Sequence, residues 1–162
     1  MTTHAMHDSL ALLFAELIDG PPSGAAYMLN GGDPGLLRSL DRLSSDAASK
    51  PAPAGGAPIA AHVDHVCYGL ELMLRWSAGD PDPWTGADWA ASWRRTSVTR
   101  DEWAALRARL RAAARRWHAV LQTPRDLSLA ELNGVMSSLP HLAYHVGAIR
   151  QIDRGLQGPK AE

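Results

Sequence analysis

Apolar residues recur at helical spacing along most of this 162-residue chain, and this pattern is what most constrains its fold. Spacings of three and four residues put side chains on one face of a helix, whereas a half-buried strand requires strict alternation. No stretch of the sequence alternates for long enough to form a strand. The four main helices are predicted at about residues 9–18, 58–78, 99–121 and 128–155. The sequence therefore predicts an all-α fold in which these helices pack as a bundle.

Capping residues mark where several helices begin. Thr99-Arg-Asp-Glu102 and Ser128-Leu-Ala-Glu131 are capping-box patterns, in which a hydroxyl and a carboxylate bond free backbone N–H groups of the first turn. Asp33 followed by Pro34 is a favourable start for a short helix. The sequence therefore predicts a short extra helix near residues 34–45.

Proline and glycine predict where the helices are interrupted. The Ala, Pro and Gly residues of 47–58 predict a flexible connector, and the tryptophan-rich segment 84–97 predicts a loop with a short turn of helix. Pro140 removes a backbone donor from the last helix, so it predicts either a kink or a helix start one or two turns before it. No linker divides the chain, and residues 1–162 are predicted to form one domain.

Charge and cysteine content exclude several classes of partner. A formal net charge of −1 gives no attraction for nucleic acid or an anionic membrane. The arginines of the third main helix are therefore interpreted as a solvated face; they are Arg107, Arg109, Arg111, Arg115 and Arg116. The apolar segment Leu10–Ile18 is too short to cross a bilayer and follows no basic signal-peptide region. With Cys67 as the single cysteine, we expect a cytoplasmic protein with no membrane or nucleic-acid partner.

Four of the seven histidines lie in two short clusters, His62-Val-Asp-His65 and His141-Leu-Ala-Tyr-His145. Histidines four residues apart on a helix lie one turn apart and offer two imidazoles to one ion. A facing helix would supply the third ligand, and spacing leaves both His62 and His65 open. Gly69, one turn beyond His65, leaves room for a pocket and favours His65. Spacing alone leaves a metal site and a purely structural role equally open.

The other chemically capable residues have less specific signals. His4, His7 and His118 have no partner at useful spacing and are predicted at the surface. Cys67 is interpreted as a small buried apolar residue. Asp64 and Glu71 either face solvent or accept a hydrogen bond from a histidine, and Tyr144 is a further neighbour of the presumed ion. The tryptophans are interpreted as core or loop anchors.

The chain lacks the motifs of several common enzyme classes. It has no Gly-rich phosphate loop, no Gly-x-Ser-x-Gly, no Cys-x-x-Cys and no His-Glu-x-x-His. The sequence therefore contains no motif that would indicate phosphoryl transfer, serine hydrolysis or zincin proteolysis.

Three segments, in their order and spacing, resemble the DinB/YfiT-like superfamily of bacterial metal-binding four-helix bundles. They are Leu29-Asn-Gly-Gly-Asp-Pro-Gly-Leu-Leu37, Pro58-Ile-Ala-Ala-His-Val-Asp-His65-Val, and His141-Leu-Ala-Tyr-His145-Val-Gly-Ala-Ile-Arg-Gln151. The resemblance spans most of the chain. It implies an up-down-down-up four-helix bundle, a long crossover between the second and third main helices, and a homodimer.

In that family, one histidine of the second main helix and a His-x3-His pair of the last helix bind nickel or zinc. Transferred to this sequence, the resemblance implies a divalent metal site formed by His65, His141 and His145. Ala148 stands where a polar Gln often follows the glycine, so family contacts to substrate beside the metal are not carried over.

The family's known activities are mostly transfers of low-molecular-weight thiols, such as mycothiol or bacillithiol. The resemblance therefore implies a metal-dependent transferase that joins such a thiol to a small-molecule electrophile. Two alternatives share the same histidines. One is a hydrolase that uses a metal-bound water, and the other is a non-enzymatic, stress-associated metal-binding bundle.

Overall fold

Helices make up 65% of the structure, a computed structural model that describes residues 3–160. The α-helices are α1 (Thr3–Asp19), α2 (Gly35–Asp41), α3 (Ser45–Ala48), α4 (Ile59–Ser77), α5 (Arg100–Gln122) and α6 (Leu129–Ile152). Short 3-10 turns lie at Pro53–Gly55, Ser92–Arg94 and Arg154–Leu156. Residues 3–160 contain no strand, which confirms the all-α prediction, and α2 confirms the short extra helix. None of the helices in this range is long and apolar enough to cross a membrane.

Both predicted capping boxes are present. Thr99 Oγ1 accepts the Glu102 N–H at 3.3 Å, and the Glu102 carboxylate accepts the Thr99 N–H at 2.7 Å. Ser128 and Glu131 make the same reciprocal pair at 3.3 and 2.8 Å. These bonds satisfy backbone donors that the first turn of a helix leaves free, so α5 and α6 begin where the sequence predicts.

α1 begins at Thr3 rather than at the predicted Ser9, and His7 anchors its first turns. His7 is 2% exposed, so its predicted surface position is wrong. Its Nδ1 donates at 3.0 Å to the Leu121 carbonyl oxygen, which α5 leaves without a helical donor, and its Nε2 accepts the Arg125 N–H at 3.3 Å. Spacing along a helix cannot reveal such distant partners. His4 is exposed, as predicted.

The core lies between α1, α4, α5 and α6. Its fully buried large side chains come from each of these helices and include Phe14, Ile59, Leu72, Leu110, Trp117, Leu142 and Ile149. Trp117 Nε1 donates to Ser138 Oγ at 3.1 Å, which gives the buried indole N–H the partner it requires. α4 packs against α5 and also against α6. The two helices that carry the histidine clusters, α4 and α6, therefore lie side by side.

The connector 47–58 is more structured than the sequence predicts. It contains the end of α3 and one 3-10 turn, and an isolated β-bridge joins Ala52 and Gly56. The Val98 N–H donates to Ser49 Oγ at 3.0 Å and ties this segment to the residues before α5. These bonds explain the difference from the flexible connector that composition suggests.

α6 is an unbroken helix through Pro140, so the helix start predicted one or two turns before this proline is wrong. Pro140 and Met136 are both exposed, and water can satisfy the Met136 carbonyl that loses its helical donor. α6 ends at Ile152, before the predicted Gly155. Asp153 leaves the helical conformation, and its carboxylate accepts the Gly155 N–H at 2.8 Å.

The arginine face of α5 carries ion pairs. The pairs are Arg107 and Arg111 with Asp41, Arg109 with Glu71, and Arg115 with Asp19. The arginine side chains keep between 26% and 49% of their surface exposed, so each pair stabilises the fold only slightly. The acidic partners neutralise the positive charge that a nucleic-acid surface would need, which supports the solvated-face interpretation.

Candidate metal centre

α4 and α6 bring the two histidine clusters together. One ring nitrogen from each of His65, His141 and His145 lies within 4.8 Å of the corresponding atoms of the other two. His141 Nε2 and His145 Nε2 are 3.2 Å apart. The ring centroid of His65 lies 5.2 Å from that of His141 and 5.0 Å from that of His145. Imidazoles from two facing helices therefore form one cluster.

Two glycines allow α4 and α6 to approach this closely. A Cβ atom at Gly69 of α4 would lie 3.4 Å from His141 Cε1 and 3.6 Å from the Trp89 ring. A Cβ atom at Gly134 of α6 would lie 2.8 Å from the Trp76 ring. The room that the sequence predicts at Gly69 is thus used by His141 and by an indole.

His65 Nδ1 is buried and has no hydrogen-bond partner among the described residues. Leaving such a nitrogen unsatisfied costs roughly 1–3 kcal/mol, and folded proteins do so rarely. A metal ion bound by the cluster would supply the missing partner. Three imidazoles are also a donor set that suits divalent transition metals, so these residues fit the ion that the resemblance implies.

Burial keeps the clustered imidazoles neutral. It lowers the pKa of His62 and of His141. It also lowers the pKa of His65, where His141 and His62 add to the effect because neighbouring imidazoles resist being protonated together. Burial, reinforced by His141, His65 and His62, also lowers the pKa of His145 to about 3. Neutral imidazole has the free lone pair that a metal requires. The cluster is therefore in its metal-binding protonation state at neutral pH.

His62 contacts the far side of His145. The Nδ1 atoms of the two rings are 3.0 Å apart, and two neutral rings share such a contact only when one nitrogen carries the proton. If His145 Nε2 keeps its lone pair for a metal, its proton lies on Nδ1 and is donated to His62. The geometry thus separates two residues that spacing leaves equivalent: His65 lies with the His-x3-His pair, and His62 bonds one member of that pair.

Two tryptophans of the loop between α4 and α5 cover the cluster. The ring centroids of Trp89 and Trp93 lie 5.5 and 4.6 Å from that of His65. Trp93 also lies 5.2 Å from His62 and 6.0 Å from His145. The indoles are 38% and 39% exposed, so they form a wall between the histidines and solvent. Composition does not reveal this role; the available signal is two tryptophans four residues apart, soon after the histidine helix.

The other predicted neighbours of the ion are engaged elsewhere. Asp64 bonds Arg95 at 2.9 Å, with its side chain 15% exposed, so it neither faces solvent nor accepts from a histidine. Glu71 bonds Arg109 at 2.9 Å and is 39% exposed. Tyr144 is 68% exposed, with its ring edge-on to a histidine of the cluster at 5.0 Å. Within residues 3–160, no carboxylate is hydrogen-bonded to any of the four clustered histidines.

Cys67 is expected to be inert toward thiol reagents in the folded protein. It is 0% exposed, and burial together with Glu71 raises the pKa of its thiol to about 12. At pH 8 such a group is thiolate in only about one molecule in ten thousand. Ellman's reagent should therefore modify no thiol in the native protein and one per chain in concentrated guanidinium. Rapid modification of the folded protein would contradict this placement.

The fold and the site define a class of protein: an all-helical chain whose facing helices form a histidine cluster that could hold a metal ion. The family model of the DinB superfamily matches residues 34–147, more than two thirds of the chain, including all four clustered histidines. The chain therefore belongs to the DinB superfamily, as the resemblance suggested. Searches of curated proteins and of solved structures found no match.

Proposed function

We propose that this protein binds one divalent ion, nickel or zinc, through His65, His141 and His145, and uses it to transfer a low-molecular-weight thiol to a small electrophile. The observation that carries the proposal is that one ring nitrogen from each of His65, His141 and His145 lies within 4.8 Å of the others, while the buried His65 Nδ1 has no hydrogen-bond partner among the described residues. Imidazole nitrogen suits both nickel and zinc. Membership of the DinB superfamily supports the same assignment.

The residues in and around the cluster would have different roles in such a site. Three protein ligands leave coordination positions open, where a metal lowers the pKa of a bound thiol so that it reacts as thiolate at neutral pH. His62 orients His145 through the contact between their Nδ1 atoms. Trp89 and Trp93 limit the access of water from the His65 side.

The surroundings favour a thiol over water as the nucleophile. A metal-bound water that has not already ionised needs a general base to take its proton. Asp64 and Glu71, the two carboxylates on the same helix as His65, are both held by arginines. A thiol bound to a metal is already deprotonated and needs no such base.

The proposed transfer balances without an oxidant or a reductant. The thiol releases its S–H proton to solvent, and its sulfur forms a bond to the electrophilic carbon. The leaving group departs with the electron pair of the bond that breaks. Because Cys67 is fully buried, the thiol is a co-substrate from solution rather than a residue of the chain.

The proposal is tested by measuring turnover with a panel of thiols that includes mycothiol, bacillithiol and glutathione. Each is assayed against small alkylating electrophiles with the nickel- or zinc-loaded protein and again after chelation. We expect at least one thiol to be consumed in a metal-dependent reaction, with one thioether formed per thiol. Metal-dependent turnover by water alone would assign the site to a hydrolase. Metal binding without any turnover would leave only a metal-binding protein.

Replacing His62 with Leu is expected to weaken metal binding by about 10–100-fold without abolishing it, because Leu cannot accept the orienting hydrogen bond while the ligands remain. Affinity is measured by competition with a chromophoric chelator. The matched control is His118→Leu, which changes a half-buried histidine of α5 outside the cluster. Unchanged affinity in His62→Leu would contradict the orienting role, and complete loss would make His62 a ligand.

A further inference from the structure

A cavity of about 310 Å³ opens beside the histidine cluster, between α4, α6 and the loop that joins α4 to α5. Its walls include Gly69, Met73, Trp84, Trp89, His141 and Leu142. His141 belongs to both the cluster and the cavity wall. A molecule bound in the cavity would therefore contact a proposed metal ligand directly.

None of the described residues that line the cavity carries a charged side chain. Besides His141 and the indole N–H groups of Trp84 and Trp89, its polar groups are two serines whose hydroxyl protons are already used. Ser137 Oγ donates to the Gly134 carbonyl at 2.8 Å, and Ser138 Oγ donates to the Val135 carbonyl at 2.7 Å. A charged group entering this space would lose hydration and would meet no side chain of opposite charge. The lining therefore selects an uncharged ligand.

The size and walls of the cavity favour a flat ring system. Its volume is about twice that of an apolar cavity of roughly 150 Å³ that admits benzene, so one or two rings fit. Trp84 and Trp89 are each 38% exposed, and indoles pack favourably against other aromatic rings. The missing side chain at Gly69 lets the His141 and Trp89 rings approach α4, so both rings form part of the cavity wall.

We propose that this cavity binds the uncharged, aromatic part of the electrophilic substrate and places its reacting atom against His141. The identification of this ligand as the electrophile rests on the proposed transferase function. A hydrophilic, sugar-bearing thiol would find few hydrogen-bonding partners on these largely apolar walls. The thiol is therefore assigned to the space outside this cavity.

Isothermal titration calorimetry with a matched pair of probes tests this assignment. The probes are 2-naphthol, which is neutral at pH 7, and 2-naphthoate, which has the same rings and a negative charge. The full chain is titrated both metal-loaded and after chelation. We expect 2-naphthol to bind once per chain in both states, and 2-naphthoate to bind at least about tenfold more weakly in the chelated protein, where no metal can hold its carboxylate.

Variants place the binding in the cavity. Ser137 is exposed at the cavity rim, so Ser137→Phe fills the space without disturbing the core, and Trp84→Ala removes one wall. Each should weaken 2-naphthol binding by about tenfold. Met136→Phe is the matched control, because Met136 immediately precedes Ser137 on α6, is 52% exposed and does not line the cavity. The affinity of this variant for 2-naphthol should equal that of the wild type.

The cavity assignment is overturned if neither probe binds, if both bind the chelated protein equally, or if Ser137→Phe and Trp84→Ala both keep wild-type affinity. These failures are distinct from failure of the proposed function, because the chelated protein is titrated as well. If the protein binds 2-naphthol but no metal, the cavity assignment stands and the proposed transferase function is contradicted. A protein that binds metal but not 2-naphthol would lose only the cavity assignment.

Discussion

Replacing His145 with Ala is expected to reduce bound metal from about one ion per chain to near zero. His145 is the histidine with contacts on both sides: Nε2 lies 3.2 Å from His141 Nε2, and Nδ1 lies 3.0 Å from His62 Nδ1. Its removal takes away one of three ligands and leaves His62 without its partner. Metal content is measured by plasma mass spectrometry after loading with zinc and extensive dialysis.

Thermal denaturation gives a second measure of the same loss. A ligand that binds only the folded state stabilises it by about 2.7 kcal/mol when present at 100 times its Kd. Zinc should therefore raise the Tm of the wild type and of a His118→Ala control but not that of His145→Ala. One ion per chain in His145→Ala, or an equal rise in Tm, would contradict the proposed site.

Replacing Arg150 with Met is expected to lower the free energy of unfolding by about 3–5 kcal/mol, because it leaves a buried carboxylate without its cation. The Asp33 side chain is 2% exposed, and Arg150 bonds it at 2.8 Å. Asp33 Oδ1 also accepts the Gly35 N–H at 2.8 Å, which fixes the start of α2. Urea denaturation followed by circular dichroism measures the loss.

Two further variants isolate the buried charge as the cause. Arg94→Met removes the cation of an exposed pair with Asp88 and should leave the urea midpoint unchanged. Asp33→Asn combined with Arg150→Met removes the unpaired charge while keeping an acceptor for Gly35, so it should recover much of the loss. An Arg150→Met protein as stable as Arg94→Met would show that the Asp33 pair contributes little.

The long helices were predictable because their signals are local. Thr99 and Ser128 each stand three residues before a glutamate, and both capping boxes form as the spacing predicts. The His-x3-His spacing places His141 and His145 one turn apart on α6 for the same reason. A sequence pattern within one helix therefore predicts which of its side chains lie close together in the folded protein.

The parts that the sequence did not reveal depend on contacts between distant residues. His7 looks like a surface residue until the Leu121 carbonyl at the end of α5 accepts from one ring nitrogen and the Arg125 N–H donates to the other. Asp64 has suitable spacing for a histidine partner, but Arg95 reaches it from the loop between α4 and α5. The same loop carries Trp89 and Trp93 over His65, and no periodic pattern marks where a loop returns.

Several expectations stay predictions. The resemblance implies the up-down-down-up helix order and the homodimer, whereas length and cysteine content predict the single domain and the cytoplasmic location. Light scattering on the purified protein measures the oligomeric state directly.

The most direct test of the proposed metal centre is an anomalous-difference map from crystals of the metal-loaded protein, recorded at the absorption edge of the bound ion. One peak is expected within about 2.0–2.2 Å of a ring nitrogen of His65, His141 and His145, with at least one coordination position open to a small ligand. His62 should lie outside bonding distance of the ion and contact His145. No peak at the cluster, or a closed site that includes His62 as a fourth ligand, would contradict the proposal.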